Sequence, residues 1–230
     1  MPLISVVVPV LDDRAAVKRL LDALPPAADV EILLVDGGAD PGLDPLALPR
    51  PDVRLLRSAP GRGCQMNAGA AAARGEWLLF LHADSRLPGA WHTAIATADD
   101  TADSAGGWFR LRIDATAWQA RVIEQLAQLR VSVLGLAYGD QGFFVRRRIF
   151  TALGGFRELP LMEDVDFVCR LHRAGRIVPS SLEISTSARR WRRDGWFRRS
   201  TANVGLLALY FAGVSPARLA RWYSAGSGRP

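Results

Sequence analysis

The sequence has only two cysteines, a single lysine and no long hydrophobic run. Cys64 and Cys169 are too few for a disulfide framework and have no metal-ligand spacing, which predicts a reduced, cytoplasmic protein. The longest uninterrupted apolar run, Val204 to Val214, is far shorter than the about 20 residues that a membrane-spanning helix needs. The N-terminus has no positively charged segment ahead of its first apolar run, so we expect no signal peptide.

The composition is that of a folded domain. The chain has 230 residues, of which 49% are hydrophobic, and these values exclude disordered, collagen-like and coiled-coil classes. No long linker divides the sequence, so we expect one domain. The net charge of +6 comes almost wholly from arginine. Guanidinium groups suit phosphates and carboxylates, although a GC-rich genome gives the same composition.

Short apolar runs alternate with helical patterns through the first half of the chain, which predicts an α/β fold with a mostly parallel central sheet and helices on both faces. In the second half, Trp108 to Asp114 alternates apolar and polar residues, which indicates a strand with one wet face and therefore a mixed sheet. Helical spacing then recurs at Val122, Leu126, Leu129, Val133 and Leu136. The predicted parallel strands are Ile4 to Val10, Glu31 to Asp36, Val53 to Arg57 and Glu76 to Leu81.

Acidic and glycine residues gather just after the predicted strands. Asp12, Asp36 and Asp84 each follow a strand, and Gly61-Arg62-Gly63 precedes a helix. Ligands of open α/β sheets bind outside the carboxyl ends of the strands, which predicts a site there. Free backbone N–H groups beside Arg62 suit a phosphate, but a tight turn with a surface arginine has the same sequence.

The segment His82-Ala83-Asp84 is informative because it directly follows a predicted buried strand. An acid at the tip of a buried strand can hold a divalent cation, Mg²⁺ or Mn²⁺, that bridges two phosphates. A helix cap is the alternative interpretation, since aspartate and serine both cap well. His82 is interpreted as a structural histidine.

Five segments of the sequence form an ordered set: Ile4 to Val10, Val35 to Gly38, Gly61 to Gly69, Phe80 to Asp84 and Glu163-Asp164. In order and spacing, they resemble the nucleotide-sugar-binding family 2 glycosyltransferases of GT-A fold. The resemblance covers about residues 3 to 175. It implies a GT-A-like domain over 1–186 with a basic, aromatic helical extension over 187–230 packed on it. The GRGCQMNAGA, FLHAD and RRWRR segments also resemble a small bacterial subgroup discussed in connection with arsenosugar biosynthesis.

This resemblance implies a donor site for a nucleoside-diphosphate sugar, with a divalent cation on Asp84. Family members usually have an acid where this chain has His82, which puts the metal affinity in question. The residues implied at the base, ribose and nucleotide are Pro9, Val10, Asp12, Asp36, Arg62, Gln65, Asn67 and Ala83, together with Asp84.

The reaction needs a carboxylate that takes the proton of an incoming hydroxyl. The resemblance implies that Asp164 is this base, that the outcome is inversion, and that Glu163 lies beside it on the acceptor side. Acids in a first helical turn also complement the helix dipole, which is the structural alternative. Asp140 and Gln141 are candidates for binding acceptor hydroxyls, and an Asx-type turn is the alternative for them.

The C-terminal part interleaves arginines at 189, 190, 192, 193, 198 and 199 with aromatic residues and leads into the apolar run. Three interpretations stay open. Arg190-Trp191 partially resembles the Arg-Trp end of a motif of processive family members. The segment could instead contact an anionic membrane surface at the inner face of the membrane, or pack on its own domain or on a second subunit as a homodimer. Processivity is not supported, because Ser187 stands at the glutamine position of that motif.

Two other functional classes fit parts of the sequence. The basic aromatic cluster is compatible with a nucleic-acid binder, but no recognised motif is present and the acids at the strand ends would repel a phosphate backbone. A nucleotidyltransferase would place a glycine-rich, lysine-bearing loop after the first strand. The segment from Leu11 to Arg14 has neither glycine nor lysine. We therefore predict a glycosyltransferase that binds no nucleic acid.

Overall fold

The computed structural model describes residues 3–38 and 50–226. A central sheet crosses the molecule, and its strands are β1 (Ile4–Val10), β2 (Val30–Asp36), β3 (Val53–Arg57), β4 (Trp77–Phe80), β6 (Ser104–Trp108), β8 (Phe143–Arg146) and β9 (Arg176–Ile177). Their spatial order is β3-β2-β1-β4-β8-β6-β9. The first four strands along the chain are parallel to one another, and β8 runs antiparallel to both β4 and β6. The prediction of a mostly parallel, mixed sheet is confirmed.

Helices cover both faces of this sheet. On β1, Val7 joins a core cluster with Met66 and Phe167, whereas Val6 and Val8 join a second cluster on the other face. Such burial on both faces explains why β1 is a continuous apolar run. The helices are α1 (Arg14–Ala23), α2 (Arg62–Ala72), α3 (Trp91–Asp100), α4 (Trp118–Leu134), α5 (Arg147–Ala152), α6 (Glu163–Leu171), α7 (Arg189–Asp194), α8 (Trp196–Phe211) and α9 (Pro216–Gly226).

Helix α2 lies unusually close to the sheet. A Cβ on Gly69 would clash with the side chain of Val7 on β1 and would come within 3.0 Å of Val35 on β2. Only glycine permits this approach. It holds the N-terminal end of α2, which begins at Arg62, against the carboxyl ends of β1 and β2.

A second, smaller sheet contains β5 (Ser85–Arg86), β7 (Arg110–Asp114) and β10 (Glu183–Ser187) in the order β5-β10-β7. The strand predicted over Trp108 to Asp114 is confirmed for Arg110 to Asp114, but Trp108 belongs to β6: the chain leaves the central sheet after Trp108 and continues in the second sheet. Strand β6 is buried throughout, and the alternation of exposed and covered side chains belongs to β7 alone. The alternation reflects the one-sided environment of the small sheet.

The C-terminal helices pack on the central sheet's large core cluster. Leu206 and Leu207 of α8 and Leu219 of α9 are buried members of that cluster. A C-terminal helical extension is thus present, while the division of the chain at residue 187 stays a prediction. Within the described part of the chain, no helix combines the length and the hydropathy needed to cross a bilayer.

Candidate active site

An open cleft of about 730 Å³ lies at the carboxyl ends of β1 and β4 and beside the start of α2. Eight predicted donor-side or acceptor-side residues line it: Pro9, Val10, Asp12, Arg62, Gln65, Ala83, Asp84 and Glu163. The topology explains this convergence, because parallel strands bring their carboxyl ends to one edge of the sheet. The residues come from segments that are far apart in the sequence.

Gln65 lines the cleft and also fixes its floor. Its Nε2 donates hydrogen bonds to the backbone oxygens of Val10 and Val35, at 2.6 Å and 2.8 Å. These two oxygens lie near the ends of β1 and β2, so the amide joins the two strands where the predicted base and ribose pocket begins. The side chain is buried, which makes its hydrogen bonds hard to replace with water.

Asp36 lies at the end of β2, behind the cleft surface. Its Oδ1 accepts a hydrogen bond from the Gly38 N–H at 2.8 Å, and its Oδ2 lies 3.0 Å from the Arg57 guanidinium. Asp12 has a φ of +50°, a left-handed conformation that aspartate tolerates better than most residues. A Cβ on Gly38 would lie 2.5 Å from the Asp12 carboxylate, so these two acids approach each other across a glycine.

Two predicted residues have their side chains engaged elsewhere in the structure. Asn67 exchanges two hydrogen bonds with the backbone of Phe156, at 2.8 Å and 2.9 Å, and does not line the cleft. Gln141 is 1% exposed and bonds to Phe109, Arg130 and the Tyr138 N–H. Both amides hold loops in place.

A smaller cavity of about 110 Å³ adjoins the cleft and contains Asp164 and Asp140. The two spaces share walls formed by Arg62, His82, Glu163 and Arg190. Asp164 accepts hydrogen bonds from the Gly139 N–H and from its own neighbouring Val165 N–H, each at 2.8 Å. These bonds fix the carboxylate at the start of α6 while it still lines the cavity.

The start of α6 is strained and tightly packed. Met162, directly before the helix, has a φ of +69°, which is costly for a residue with a side chain and occurs most often at functional sites. Glu163 is 3% exposed, and its Oε1 accepts a hydrogen bond from Arg62 at 3.2 Å. Burial and the neighbouring Asp164 carboxylate raise the pKa of Glu163, against the opposing effect of Arg62.

His82 occupies the place where the family usually has an acid. Burial, with the Arg62 and Arg190 guanidinium groups, lowers the pKa of His82 well below its ordinary value. The imidazole is therefore neutral at pH 7. Its Nε2 is buried and has no hydrogen-bond partner among the described residues, and the same is true of the Tyr138 hydroxyl and Asp140 Oδ1 in the same cavity. Three unpartnered polar atoms suit a ligand that carries hydroxyl groups.

Asp140 provides a pH-dependent prediction for this cavity. Burial raises the pKa of Asp140, and the Asp164 and Asp84 carboxylates add to the rise against the effect of Arg130. Between the ordinary aspartate value near pH 4 and the raised value, the native state binds more protons than the unfolded chain, so stability falls as pH rises through this window. We expect Asp140→Asn to raise the melting temperature at pH 7 by roughly 2–4 °C.

This gain should disappear below about pH 4, where the carboxyl group is neutral in both states. Asp100→Asn, at an exposed position on α3, is the matched control. It should change the melting temperature neither at pH 7 nor below about pH 4. A lower melting temperature for Asp140→Asn at pH 7 would contradict the prediction and show that Arg130 over-compensates the buried charge.

Four arginines of the C-terminal part line the cleft, which the sequence interpretations did not anticipate. They are Arg189, Arg190, Arg193 and Arg199. The Arg189 guanidinium bonds to Asp13 at 2.9 Å, and that of Arg190 lies 3.8 Å from Asp84. The sequence signal was the Arg190-Trp191 pair, but the pattern alone did not show which side of the molecule it faces. Tyr223 of α9 lines both spaces and had no sequence signal.

The fit of a divalent cation depends on the oxygens available at Asp84. The described residues contain no group of three or more His, Cys, Asp or Glu side chains that could hold a metal ion. Mg²⁺ is commonly bound by one or two carboxylates together with substrate phosphates and water. Asp84 lines the cleft, and its distance from Arg190 exceeds a hydrogen bond. The residues fit a cation that takes its other ligands from a diphosphate.

Comparisons of the sequence with known proteins identify a family and several relatives. The model of the family described as glycosyl transferase family 2 matches residues 5–173. An uncharacterised protein of Mycobacterium tuberculosis, MT1568, is 30% identical over 214 residues, which cover 80% of this chain and 66% of that protein. A PGL/p-HBAD biosynthesis glycosyltransferase of Mycobacterium bovis is 36% identical over 94 residues, 37% of each chain. The chain thus spans at most about two thirds of these relatives.

Solved structures show the same fold at low sequence identity. Staphylococcus aureus TarS in complex with UDP-GlcNAc gives a TM-score of 0.60 at 18% identity, over 80% of this chain and 58% of that one. The mannosyltransferase PcManGT of Pyrobaculum calidifontis, with GDP-Man and Mn²⁺, gives 0.61 at 18% identity, over 88% and 64%. The predicted GT-A fold and the predicted family are confirmed. The chain belongs to glycosyl transferase family 2.

Proposed function

We propose that the chain transfers a sugar from a nucleoside-diphosphate donor to a hydroxyl acceptor, with inversion at the anomeric carbon. One observation carries the proposal: a large cleft and a small cavity adjoin each other. The cleft contains arginines and Asp84, and the cavity contains Asp164. Arg62 and Arg190 belong to the wall that the two spaces share. Donor and acceptor must meet at such a junction for the transfer to occur.

The donor binds in the large cleft. Its base and ribose lie against Pro9 and Val10, with Asp12 as the acid nearest the ribose hydroxyls and Asp36 behind it, holding the Gly38 N–H. TarS and PcManGT were solved with UDP-GlcNAc and GDP-Man, respectively, and their shared fold supports a nucleotide sugar as the donor here. The sugar and the base are left to experiment. The arsenosugar subgroup also stays a prediction.

The diphosphate lies between Asp84 and the arginine wall. A divalent cation, when bound, would be held by Asp84 and would neutralise charge on the leaving diphosphate. Arg62, Arg189 and Arg190 line the same cleft and supply fixed positive charge to the phosphate oxygens. Ala83 has a small side chain that leaves this part of the cleft open beside Asp84.

The acceptor enters the small cavity. Its hydroxyl oxygen attacks the anomeric carbon, the hydroxyl proton moves to the Asp164 carboxylate, and the bond between the anomeric carbon and the diphosphate oxygen breaks. The electron pair leaves with the nucleoside diphosphate, whose charge Arg62 and Arg190 stabilise. Asp140 accepts a hydrogen bond from a second hydroxyl, and the buried Glu163 keeps Arg62 in position.

The proposed function is tested by thermal shift followed by a donor screen. A ligand that binds only the native state raises the melting temperature. We expect UDP or GDP with Mn²⁺ to give a larger shift than nucleoside triphosphates or DNA, and one nucleotide sugar to give a detectable transfer product. A larger shift with triphosphates would favour the nucleotidyltransferase alternative, and a shift with DNA alone would favour the nucleic-acid binder.

Arg190 provides a prediction about the donor. We expect Arg190→Gln to weaken UDP or GDP binding in EDTA by about tenfold, because it removes a charge-assisted hydrogen bond to phosphate. Arg192→Gln is the matched control, since Arg192 belongs to the same helix but is exposed and does not line the cleft. Isothermal titration at low and high salt measures both variants. Equal losses in the two variants would assign the effect to general charge rather than to Arg190.

The cytoplasmic location, contact with the inner face of a membrane and homodimer formation stay predictions. The positive charge of α7 and α8 supports contact with an anionic membrane surface. A light-scattering measurement of the molar mass decides the oligomeric state.

A further inference from the structure

Helices α4 and α8 pack side by side and both expose large apolar side chains, and we call the surface that these side chains form the α4–α8 face. Its α4 members follow helical spacing and include Trp118, which is 64% exposed, and Val133, which is 69% exposed. These helices contact each other, and the Trp118 and Phe197 rings lie 5.7 Å apart. The exposed apolar residues of the face are Trp118, Leu126, Leu129, Val133 and Leu134 on α4, and Phe197, Val204, Leu209 and Phe211 on α8.

Leu126, Leu129 and Val133 belong to the apolar pattern that predicts this helix, and we call them the α4 stripe. All three are exposed, whereas Leu136, the last member of the pattern, lies beyond the end of α4 and is buried. Helix α4 instead buries the smaller residues Ala120, Ile123, Ala127 and Val131. Large apolar side chains on the outer side of a helix cost solubility unless a partner covers them. The face therefore indicates a binding surface and contributes little to the core.

The charged residues within helices α4 and α8 are nearly all of one sign. Helix α8 contains no acidic residue, and the only acid of α4 is Glu124. The Glu124 carboxylate is bound by the Ile113 N–H at 2.6 Å and by the guanidinium groups of Arg112 and Arg121. Arg192 and Arg198 are exposed beside the start of α8. The resulting surface combines apolar residues with uncompensated arginines.

We propose that the α4–α8 face docks on an anionic lipid bilayer surface. Interfacial helices combine Trp, Phe and Leu on one face with arginines that attract anionic headgroups. A twofold dimer through this face would place each patch against its own copy, with no acid on α4 or α8 free to pair the arginines. The charge pattern therefore favours an anionic bilayer over a second copy.

The docking face and the small cavity share helix α8. Asn203 and Leu206 line the cavity on the inner side of this helix, whereas Val204 and Leu209 lie on its outer side. The lipid surface would thus lie about one helix diameter, roughly 10 Å, from the cavity. Docking itself does not depend on the proposed reaction.

Vesicle flotation tests this proposal with the full chain. We expect the wild type to float with vesicles that contain phosphatidylglycerol, to float less at high salt, and to stay unbound with phosphatidylcholine alone. Val133→Glu on α4 and Val204→Glu on α8 should each reduce the bound fraction about tenfold, because each adds a negative charge and removes apolar contact. Both positions are exposed, so the melting temperature should stay unchanged.

Thr97→Glu is the matched control, because it adds the same charge at an exposed position of α3, away from the face. It should float like the wild type. A wild type that does not float with phosphatidylglycerol vesicles overturns the proposal, as does an equal loss in all three variants. A dimer that Val133→Glu dissociates, in a protein that does not float, assigns the face to a second copy instead. UDP or GDP binding is measured in parallel, so that failure of the donor site is recognised separately.

Discussion

Asp164→Asn is expected to reduce turnover by roughly 10²–10⁴-fold while nucleoside-diphosphate affinity stays close to that of the wild type. The amide keeps the shape of the side chain but cannot accept the acceptor's proton. It must also face the Gly139 and Val165 N–H groups that now bind carboxylate oxygens. We therefore expect a modest loss of melting temperature. Single-turnover kinetics and nucleotide titration on the same preparation separate chemistry from binding.

The control for this prediction lies on the same helix. Asp166 is buried, pairs with Arg157 and Arg170, and lines neither the cleft nor the small cavity. Asp166→Asn should therefore lower the melting temperature more than Asp164→Asn does, and turnover much less. Near-normal turnover in Asp164→Asn would leave the carboxylate with a structural and helix-dipole role, and Glu163 and Asp140 would be the next candidates for the base.

Asp84→Ala is expected to have opposite effects with and without a metal. With Mn²⁺, UDP or GDP affinity should fall at least about tenfold, because the carboxylate that would hold the cation is lost. In EDTA, affinity should stay the same or increase, since Arg190, 3.8 Å from Asp84, loses its counter-charge and becomes available to phosphate. Calorimetric titration in the two buffers measures both effects.

The comparison of the two buffers separates loss of the cation from misfolding, because a misfolded variant would lose nucleotide affinity both with Mn²⁺ and in EDTA. Asp114→Ala, at an exposed position at the end of β7, is the control and should behave like the wild type. Undiminished Mn²⁺ stimulation in Asp84→Ala would remove this residue from the proposed metal site and leave the arginines as the only charges on the diphosphate.

The parts of the fold that the sequence predicts are those determined by local pattern. Strands β1 and β3 have the predicted bounds, because β-branched and aliphatic runs end at clear turn residues. The residues at the carboxyl ends of parallel strands also converge as expected, since topology alone brings them together. Fold class and the position of the cleft could therefore be predicted.

The parts that could not be predicted depend on long-range contacts. Asn67 shares a family-like segment with Arg62, but its amide bonds to Phe156, 89 residues away in the sequence. The α4 stripe has the same period whether its side chains face the core or the outside. The direction of Arg190 depends on the second sheet, whose strands β5 and β10 are too short and too separated for a sequence pattern to pair them.

The second sheet also determines how the donor cleft opens. Asp84 directly precedes β5, and Arg189 and Arg190 come shortly after the end of β10. The two strands pair Ser85 with Thr186, and the Ser187 N–H donates a hydrogen bond to the Asp84 carbonyl oxygen at 3.3 Å. This register ties the Asp84 side and the arginine side of the cleft together. These two sides therefore cannot separate without breaking strand pairing. Motion of α9, which carries Tyr223 on the cleft wall, would leave this pairing intact.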